Sequence, residues 1–444
     1  MVSVKSGVRP IRFTAGGAFT DKLLIKGARI VDPANGTCLT GDILTDGGKI
    51  IKTGGNIECG GAIEINAEGL SAAPGLVDMH VHLRDPGFTE KEDILSGCRA
   101  AAAGGVTSLL CMPNTDPVLD SGKAIKYVLD KAKTSSANVY AAGTVTKGLR
   151  GDKLSDLCEL KKAGAVAVSD DGRPVVSTET MARAMKAAPE IGLKVLAHCE
   201  DLYLSAGGKI NEGAVSKLLG IKGVPAAAEE CGTAREVMLA ASYGVPIHIC
   251  HVSTAKSVEM IRTAKKHGIK VTCETAPHYF ALTEKELLKQ DADYRMSPPL
   301  RTESDRMAVI EGLEDGTIDA IATDHAPHTP KEKSDFLTAP NGVIGMETSL
   351  AAGITFLVKP GYITLDKLIW LMSFSPARIL GINAGTLSIG SPADIVLFDP
   401  EKEWTVDVSK LHGKSRNAVF KERKLTGKVK MTVCRGEIVY KDGV

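Results

Sequence analysis

Two imidazoles, a carboxylate and a guanidinium fall at every second position in Ala73-Pro74-Gly75-Leu76-Val77-Asp78-Met79-His80-Val81-His82-Leu83-Arg84-Asp85-Pro86-Gly87. The run is apolar, too short for a helix and closed by turn-forming Pro-Gly pairs, so it reads as a buried strand. Side chains alternate along a strand, which predicts Asp78, His80, His82 and Arg84 on one face. His80 and His82 would then be a metal-binding pair with Arg84 an anion clamp beside them. A bare His-x-His is as readily two unrelated strand-end histidines, and the rest of the chain has to decide between them.

Further strand-like runs cover Val106 to Cys111, Asn138 to Gly143, Ala165 to Ser169, Lys194 to His198, Pro246 to His251, Lys270 to Glu274 and Thr317 to Thr323. Amphipathic or alanine-rich stretches separate most of them: Lys91 to Ala103, Lys123 to Thr134, Leu154 to Ala163, Thr178 to Ile191, Ala226 to Ser242, Ala255 to His267 and Ser304 to Leu313. Eight strands alternating with helices predict a (β/α)8 TIM barrel, whose active groups gather at the C-terminal strand ends. Strand one ends in His80 and His82, strand four in Asp170-Asp171, strand five in His198, strand six in His251 and strand eight in Asp324. That register favours a metal site. His248, His267 and His412 do not follow it and read as structural or solvated.

Two divalent cations about 3.5–4 Å apart repel one another and call for an anionic bridge as well as the nucleophilic water. Asp171 is the candidate bridge, with His80, His82 and Asp324 on one ion and His198 and His251 on the other. Imidazole and carboxylate donors favour two Zn2+ ions, while ligand type alone also admits manganese, iron or cobalt. Asp324 is the candidate general acid and base.

Short strands and glycine turns from Asp21 to Ala72 match a second β segment running from Ser391 to Cys434. The expected organisation is an extension over 1–20, a small composite β-sandwich from 21–72 and 386–444, and a barrel over 73–385. Apolar residues make up 43% of 444 and charged residues 24%, with a net charge of +1, so there is no electrostatic case for nucleic acid or a membrane surface. No apolar run approaches the roughly 18 residues of a membrane span. The first twenty residues lack the apolar segment of a signal peptide. The ten cysteines are scattered without a Cys-x-x-Cys, which suits reduced thiols in a cytoplasmic protein. Cys199 and Cys250 are read as packing residues.

The motifs Pro74-Gly75-Leu76-Val77-Asp78-Met79-His80-Val81-His82-Leu83-Arg84-Asp85-Pro86-Gly87, Met112-Pro113-Asn114-Thr115, Ala197-His198-Cys199-Glu200-Asp201, His251-Val252-Ser253 and Ala322-Thr323-Asp324-His325-Ala326-Pro327-His328 together resemble dihydroorotases of the bacterial type, in the amidohydrolase superfamily. The likeness runs from about residue 21 to the C-terminus. It implies a barrel with a flanking β-sandwich and the reversible cyclisation of N-carbamoyl-L-aspartate to L-dihydroorotate in pyrimidine synthesis. It further implies that Arg84, Asn114 and His328 bind the substrate carboxylate. The polar, turn-rich stretch from Thr329 to Gly342 follows the last barrel strand and is expected to close over bound substrate, with the Asn341-Gly342 backbone contacting the pyrimidine ring. A homodimer is the expected assembly, and the resemblance leaves room for an aspartate transcarbamoylase partner.

Many relatives carry a carboxylated lysine as the bridge, whereas Ala165-Val166-Ala167-Val168-Ser169-Asp170-Asp171-Gly172 contains no lysine. An aspartate must then bridge, as in one bacterial subgroup, whose spacing favours Asp171 over Asp170. Ser297 stands where the family often has a substrate-contacting asparagine, and Asn341 where it often has phenylalanine. Two other readings stay open. A hydantoinase, dihydropyrimidinase or allantoinase would generally use the lysine bridge and lack the Arg84 and Asn114 pairing. A non-catalytic scaffold of aspartate transcarbamoylase would have lost metal histidines.

Overall fold

The computed structural model describes residues 22–443, so the extension expected over 1–20 lies outside the described residues. The chain opens with β1 (Leu23–Asp32), β2 (Thr37–Asp46), β3 (Lys49–Thr53), β4 (Ile63–Asn66) and β5 (Ser71–Pro74). It enters the barrel two residues later with β6 (Leu76–Val81), followed by β7 (Val106–Cys111), β8 (Asn138–Gly143), β9 (Ala167–Val168) and β10 (Lys194–Ala197). A short ribbon of β11 (Ile210–Asn211) and β12 (Gly223–Val224) precedes β13 (Ile247–Ile249), β14 (Val271–Thr275) and β15 (Ala320–Ile321). The chain ends in β16 (Ile395–Thr405), β17 (Lys424–Cys434) and β18 (Glu437–Lys441).

Barrel strands pair in the order β15-β14-β13-β10-β9-β8-β7-β6, all parallel. Closure comes from a parallel bridge between Val81 and His325, where His82 N donates to His325 O at 2.8 Å. Strands covered on both faces read as continuous apolar runs, and all six residues of β6 and of β7 are buried. Helices Ile94–Ala103, Gly122–Lys131, Leu157–Ala163, Thr178–Glu190, Ala227–Tyr243, Ala255–Lys266 and Glu303–Asp315 occupy the stretches expected to be helical. Six of them start where Asp93, Ser121, Asp156, Ser177, Thr254 and Thr302 accept a first-turn backbone N–H.

β9 and β15 are each two residues long, shorter than the sequence suggests. Their ladders stop where the chain turns to present Asp170, Asp171 and Asp324. Both chain ends meet in one hydrogen-bonded sheet, β18-β17-β16-β5-β1-β2-β3 with β4 on β1. Leu23, Ile25 and Ile43 share its core with Ile395, Leu397 and Met431. Val396, Phe398 and Val429 pack into the barrel's own cluster with Cys98 and Ala101, so the sheet is seated on the barrel flank. No helix among the described residues is long and apolar enough to cross a membrane.

Candidate active site

Three residues expected at the site have a left-handed backbone: Arg84 at φ 59°, His251 at 36° and Asp324 at 48°. Only seven described non-glycine residues do so. Such backbone costs on the order of 1–3 kcal/mol per residue and persists where surrounding contacts over-determine it. At Asp324 those contacts come from β6. Asp78 accepts from Thr323 N at 3.1 Å and from the Thr323 hydroxyl at 2.5 Å. Asp78, expected beside the histidines on one face, therefore pins the first strand to the last, and burial pushes its carboxyl up to about 6 against those hydrogen bonds.

Four imidazoles surround one carboxylate. Asp171 Oδ1 is 3.3 Å from His80 Nε2, 3.5 Å from His198 Nδ1 and 3.6 Å from His251 Nε2, while Oδ2 is 3.4 Å from His82 Nε2. Asp324 Oδ1 lies 3.1 Å from His82 Nε2 and 3.6 Å from His80 Nε2. His198 Nδ1 and His251 Nε2 are 2.8 Å apart. Asp170 points elsewhere: its Oδ1 accepts from Val145 N at 2.7 Å and Thr146 N at 3.1 Å, and its Oδ2 from the Thr146 hydroxyl. One aspartate sits among the imidazoles and its neighbour caps the end of β8.

Buried polar atoms left unpaired demand a partner. His80 Nε2 and Asp171 Oδ1, fully buried and facing each other, have no hydrogen-bond partner among the described residues. Burial disfavours charge on His80, yet Asp171 and Glu274 hold it well above the ordinary imidazole range. Burial likewise opposes charge on Asp171, and His80, His198 and His251 hold its carboxyl well below the usual range. For Asp324, His82 and His80 overcome burial and bring the carboxyl down to about 2. Anionic oxygens facing basic nitrogens in a buried space make a site that calls for cations. His80, His82 and Asp324 have ligand atoms within 4.8 Å of one another, as do His80, Asp171 and His251. The donor set fits zinc and similar first-row divalent ions.

The outer ring nitrogens are also engaged. His80 Nδ1 is 2.7 Å from Glu274 Oε1, His82 Nδ1 2.8 Å from Asn114 Oδ1, and His198 Nε2 2.9 Å from Glu200 Oε2. An oxygen on one ring nitrogen fixes the tautomer and orients the other as a ligand. Sequence reasoning assigned no such role to Glu274 or Glu200, and it gave Asn114 to the substrate alone. The available signal at Glu274 was a charge closing an otherwise buried strand. Cys250, read as packing, lies with His80 and Glu274 in a third group within 4.8 Å. Burial pushes its thiol up to about 12, so it stays protonated.

A cavity of about 330 Å³ opens over the cluster. His82, Asp171, His198, His251 and Asp324 line it, together with Arg84, Asn114, Ser297, His328, Asn341 and Gly342. Arg84 donates through Nε to Pro327 O at 3.2 Å, and its Nη2 is 3.3 Å from His328 Nε2. Burial and the neighbouring Arg84 charge bring His328 down to about 3, so its ring is neutral. His328 Nε2 is 2.9 Å from Asn341 O. The segment before Asn341 is fastened from below: Lys333 Nζ donates to the carbonyls of Ala292, Arg295 and Pro340, and Arg295 donates to Phe336 O and Asn341 Oδ1.

A model of the amidohydrolase family matches residues 71–439. The chain is 50% identical over 421 residues to a dihydroorotase from Citrifermentans bemidjiense, covering 94% of this chain and 99% of that protein. A dihydroorotase from Acetivibrio thermocellus is 50% identical over 424 residues, covering 95% and 100%. Among solved structures, the L-hydantoinase (dihydropyrimidinase) from Arthrobacter aurescens superposes with a TM-score of 0.84 at 26% identity, over 96% of this chain and 97% of that one. A D-hydantoinase superposes with a TM-score of 0.83 at 29% identity, over 95% of each chain. With half of its residues shared across nearly its whole length, the chain belongs to the amidohydrolase family and, within it, to the dihydroorotases.

Proposed function

We propose that the protein interconverts N-carbamoyl-L-aspartate and L-dihydroorotate. One observation carries the reading: a single cavity is lined at one side by five members of the imidazole and carboxylate cluster, and at the other by Arg84, Asn114 and His328. A hydrolytic centre and an anion-binding wall within one small volume suit a cyclic amide that bears a carboxylate.

His80, His82 and Asp324 would hold one divalent cation and His198 and His251 a second, with Asp171 between them and zinc the preferred ion. When bound, such ions make water acidic enough to attack near neutral pH and polarise the amide carbonyl. Arg84 has no carboxylate within ion-pair distance among the described residues, so its guanidinium is available to take the substrate carboxylate in a bidentate pair. Asn114 is held by His82 through Oδ1, and its Nδ2 donates one hydrogen to Asp171 O at 3.5 Å and keeps the other for the same ligand, beside the neutral His328.

Asp324 moves the proton. In hydrolysis it accepts a proton from the attacking water as the carbon–oxygen bond forms, and delivers it to the ring nitrogen as the carbon–nitrogen bond breaks. Cyclisation reverses both transfers, so the carbamoyl nitrogen loses its proton to Asp324 and the departing oxygen leaves as water. The Asn341-Gly342 backbone forms the wall against the ring.

The fold likeness to hydantoinases stands at 26–29% identity, against 50% to dihydroorotases. Purified, zinc-loaded protein is to be assayed by ultraviolet absorbance on dihydroorotate, hydantoin and allantoin. Turnover of dihydroorotate well above the other two is expected. Preference for hydantoin or allantoin would overturn the reading.

A further inference from the structure

His251 follows the end of β13 at a positive φ of 36°, a backbone that a side chain larger than glycine keeps only if both flanks are held. Upstream, Cys250 N donates to Ala197 O at 3.0 Å. Downstream, Val252 N donates to Glu274 O at 2.8 Å, and the next two N–H groups leave the barrel ladder altogether. Ser253 N and Thr254 N both donate to Glu229 Oε1, at 3.0 and 3.1 Å. The Thr254 hydroxyl donates to the same oxygen at 3.3 Å, and the Ser253 hydroxyl donates to Glu229 Oε2.

Glu229 reaches this loop from the first turn of helix Ala227–Tyr243 and is 4% exposed. Arg301, 3% exposed, closes its far side. Arg301 Nη2 is 3.5 Å from Glu229 Oε2, Nε donates to Ser253 Oγ at 3.1 Å, and Nη1 donates to Asn211 Oδ1 at 2.9 Å. Ser297, four residues before Arg301, lines the cavity. Glu229, Ser253 and Arg301 themselves do not.

We propose that Glu229 and Arg301 form a clamp that positions His251, the carboxylate fixing the backbone behind the imidazole and the guanidinium tying it to the segment that carries Ser297. The clamp sets one cation position and one wall of the substrate cavity together. It rests on the reading of His251 as a metal ligand.

The test compares wild type with Glu229→Gln, Ser253→Ala and Arg301→Met. Zinc is titrated against a chromophoric chelator, and Co2+ is added stepwise while its visible absorption is followed. Wild type is expected to bind two equivalents. In Glu229→Gln and Arg301→Met one equivalent keeps its affinity and the other weakens by about tenfold or more, the usual scale for an outer-sphere partner, with altered Co2+ bands for that equivalent alone. A purely structural role would lower the melting point of the chelated protein and leave both affinities and the bands unchanged. Ser253→Ala removes a single hydroxyl and decides the question if the charged-residue variants do not fold. Two wild-type affinities and wild-type bands in the soluble variants overturn the clamp alone. A wild type that binds one equivalent overturns the two-ion reading and the clamp with it.

Discussion

Asp324 and Arg84 line the same cavity but are assigned separable tasks. Asp324→Asn keeps the shape and removes the proton acceptor. The variant is expected to retain at least one metal equivalent and bind dihydroorotate while losing about a hundredfold or more in turnover in both directions, the scale of a general acid–base group. Steady-state rates beside an equilibrium binding measurement check this, and near-normal turnover by metal-loaded protein would move the role to His328. Arg84→Ala removes the carboxylate clamp. A charge-assisted contact in a closed site is worth about 1.5–3 kcal/mol, so KM for dihydroorotate should rise by roughly ten- to a hundredfold with the metal content unchanged. Wild-type KM would assign Arg84 to holding Pro327 and His328 in place and nothing more.

At the scale of elements, the segment between His328 and Gly342 was expected to be a polar loop closing over substrate. Here it is moored through Lys333, whose ammonium donates to three carbonyls at 2.9, 3.2 and 2.9 Å. Burial lowers that ammonium from 10.5 to about 8. Between about 8 and 10.5 the unfolded chain therefore holds a proton that the folded chain has released, and stability rises with pH wherever the unfolded state binds more protons. Below about 8 the folded state bears the full cost of the buried charge. The difference in melting temperature between wild type and Lys333→Met should accordingly shift in favour of wild type as pH rises from 8 to 10. A flat or opposite trend would mean that the three carbonyls outweigh burial.

For the whole molecule, the cluster joins the ends of strands from across the barrel, so a cation held there is linked to global stability. A ligand at a hundred times its dissociation constant adds about 2.7 kcal/mol. Chelation of wild type should lower its melting temperature by several degrees, and zinc should restore it. Asp171→Ala should lose most of this zinc-dependent shift, because that side chain reaches all four imidazoles. Asp170→Ala should melt lower with or without zinc and keep the shift, since it strips the cap from Val145 and Thr146. Calorimetry in the two states separates them. A zinc shift preserved in Asp171→Ala and lost in Asp170→Ala would reverse the assignment of the bridge.

The alternation of strands and helices, the candidate metal residues at the strand ends and the pairing of the two terminal β segments in one unit were legible in the sequence, although a sandwich was expected there and the segments share one sheet. Each depends on local information: apolar periodicity, turn-forming residues, and residue types placed where ladders stop. The orienting contacts were not legible, because they join residues that spacing cannot relate. Glu274 and His80 are 194 positions apart, Asp324 and His82 are 242, and Glu229 meets Ser253 and Thr254 from a neighbouring helix. Residue types and position alone did not separate Asp170 from Asp171, and it was the family resemblance that favoured Asp171. Both are buried acids at one strand end, and only the packed barrel, by offering one of them backbone N–H groups and the other a ring of imidazoles, gives them different surroundings. Residue type determined what chemistry was available, while tertiary structure decided which copy of a side chain faces it, since facing is a property of distance in space and not along the chain.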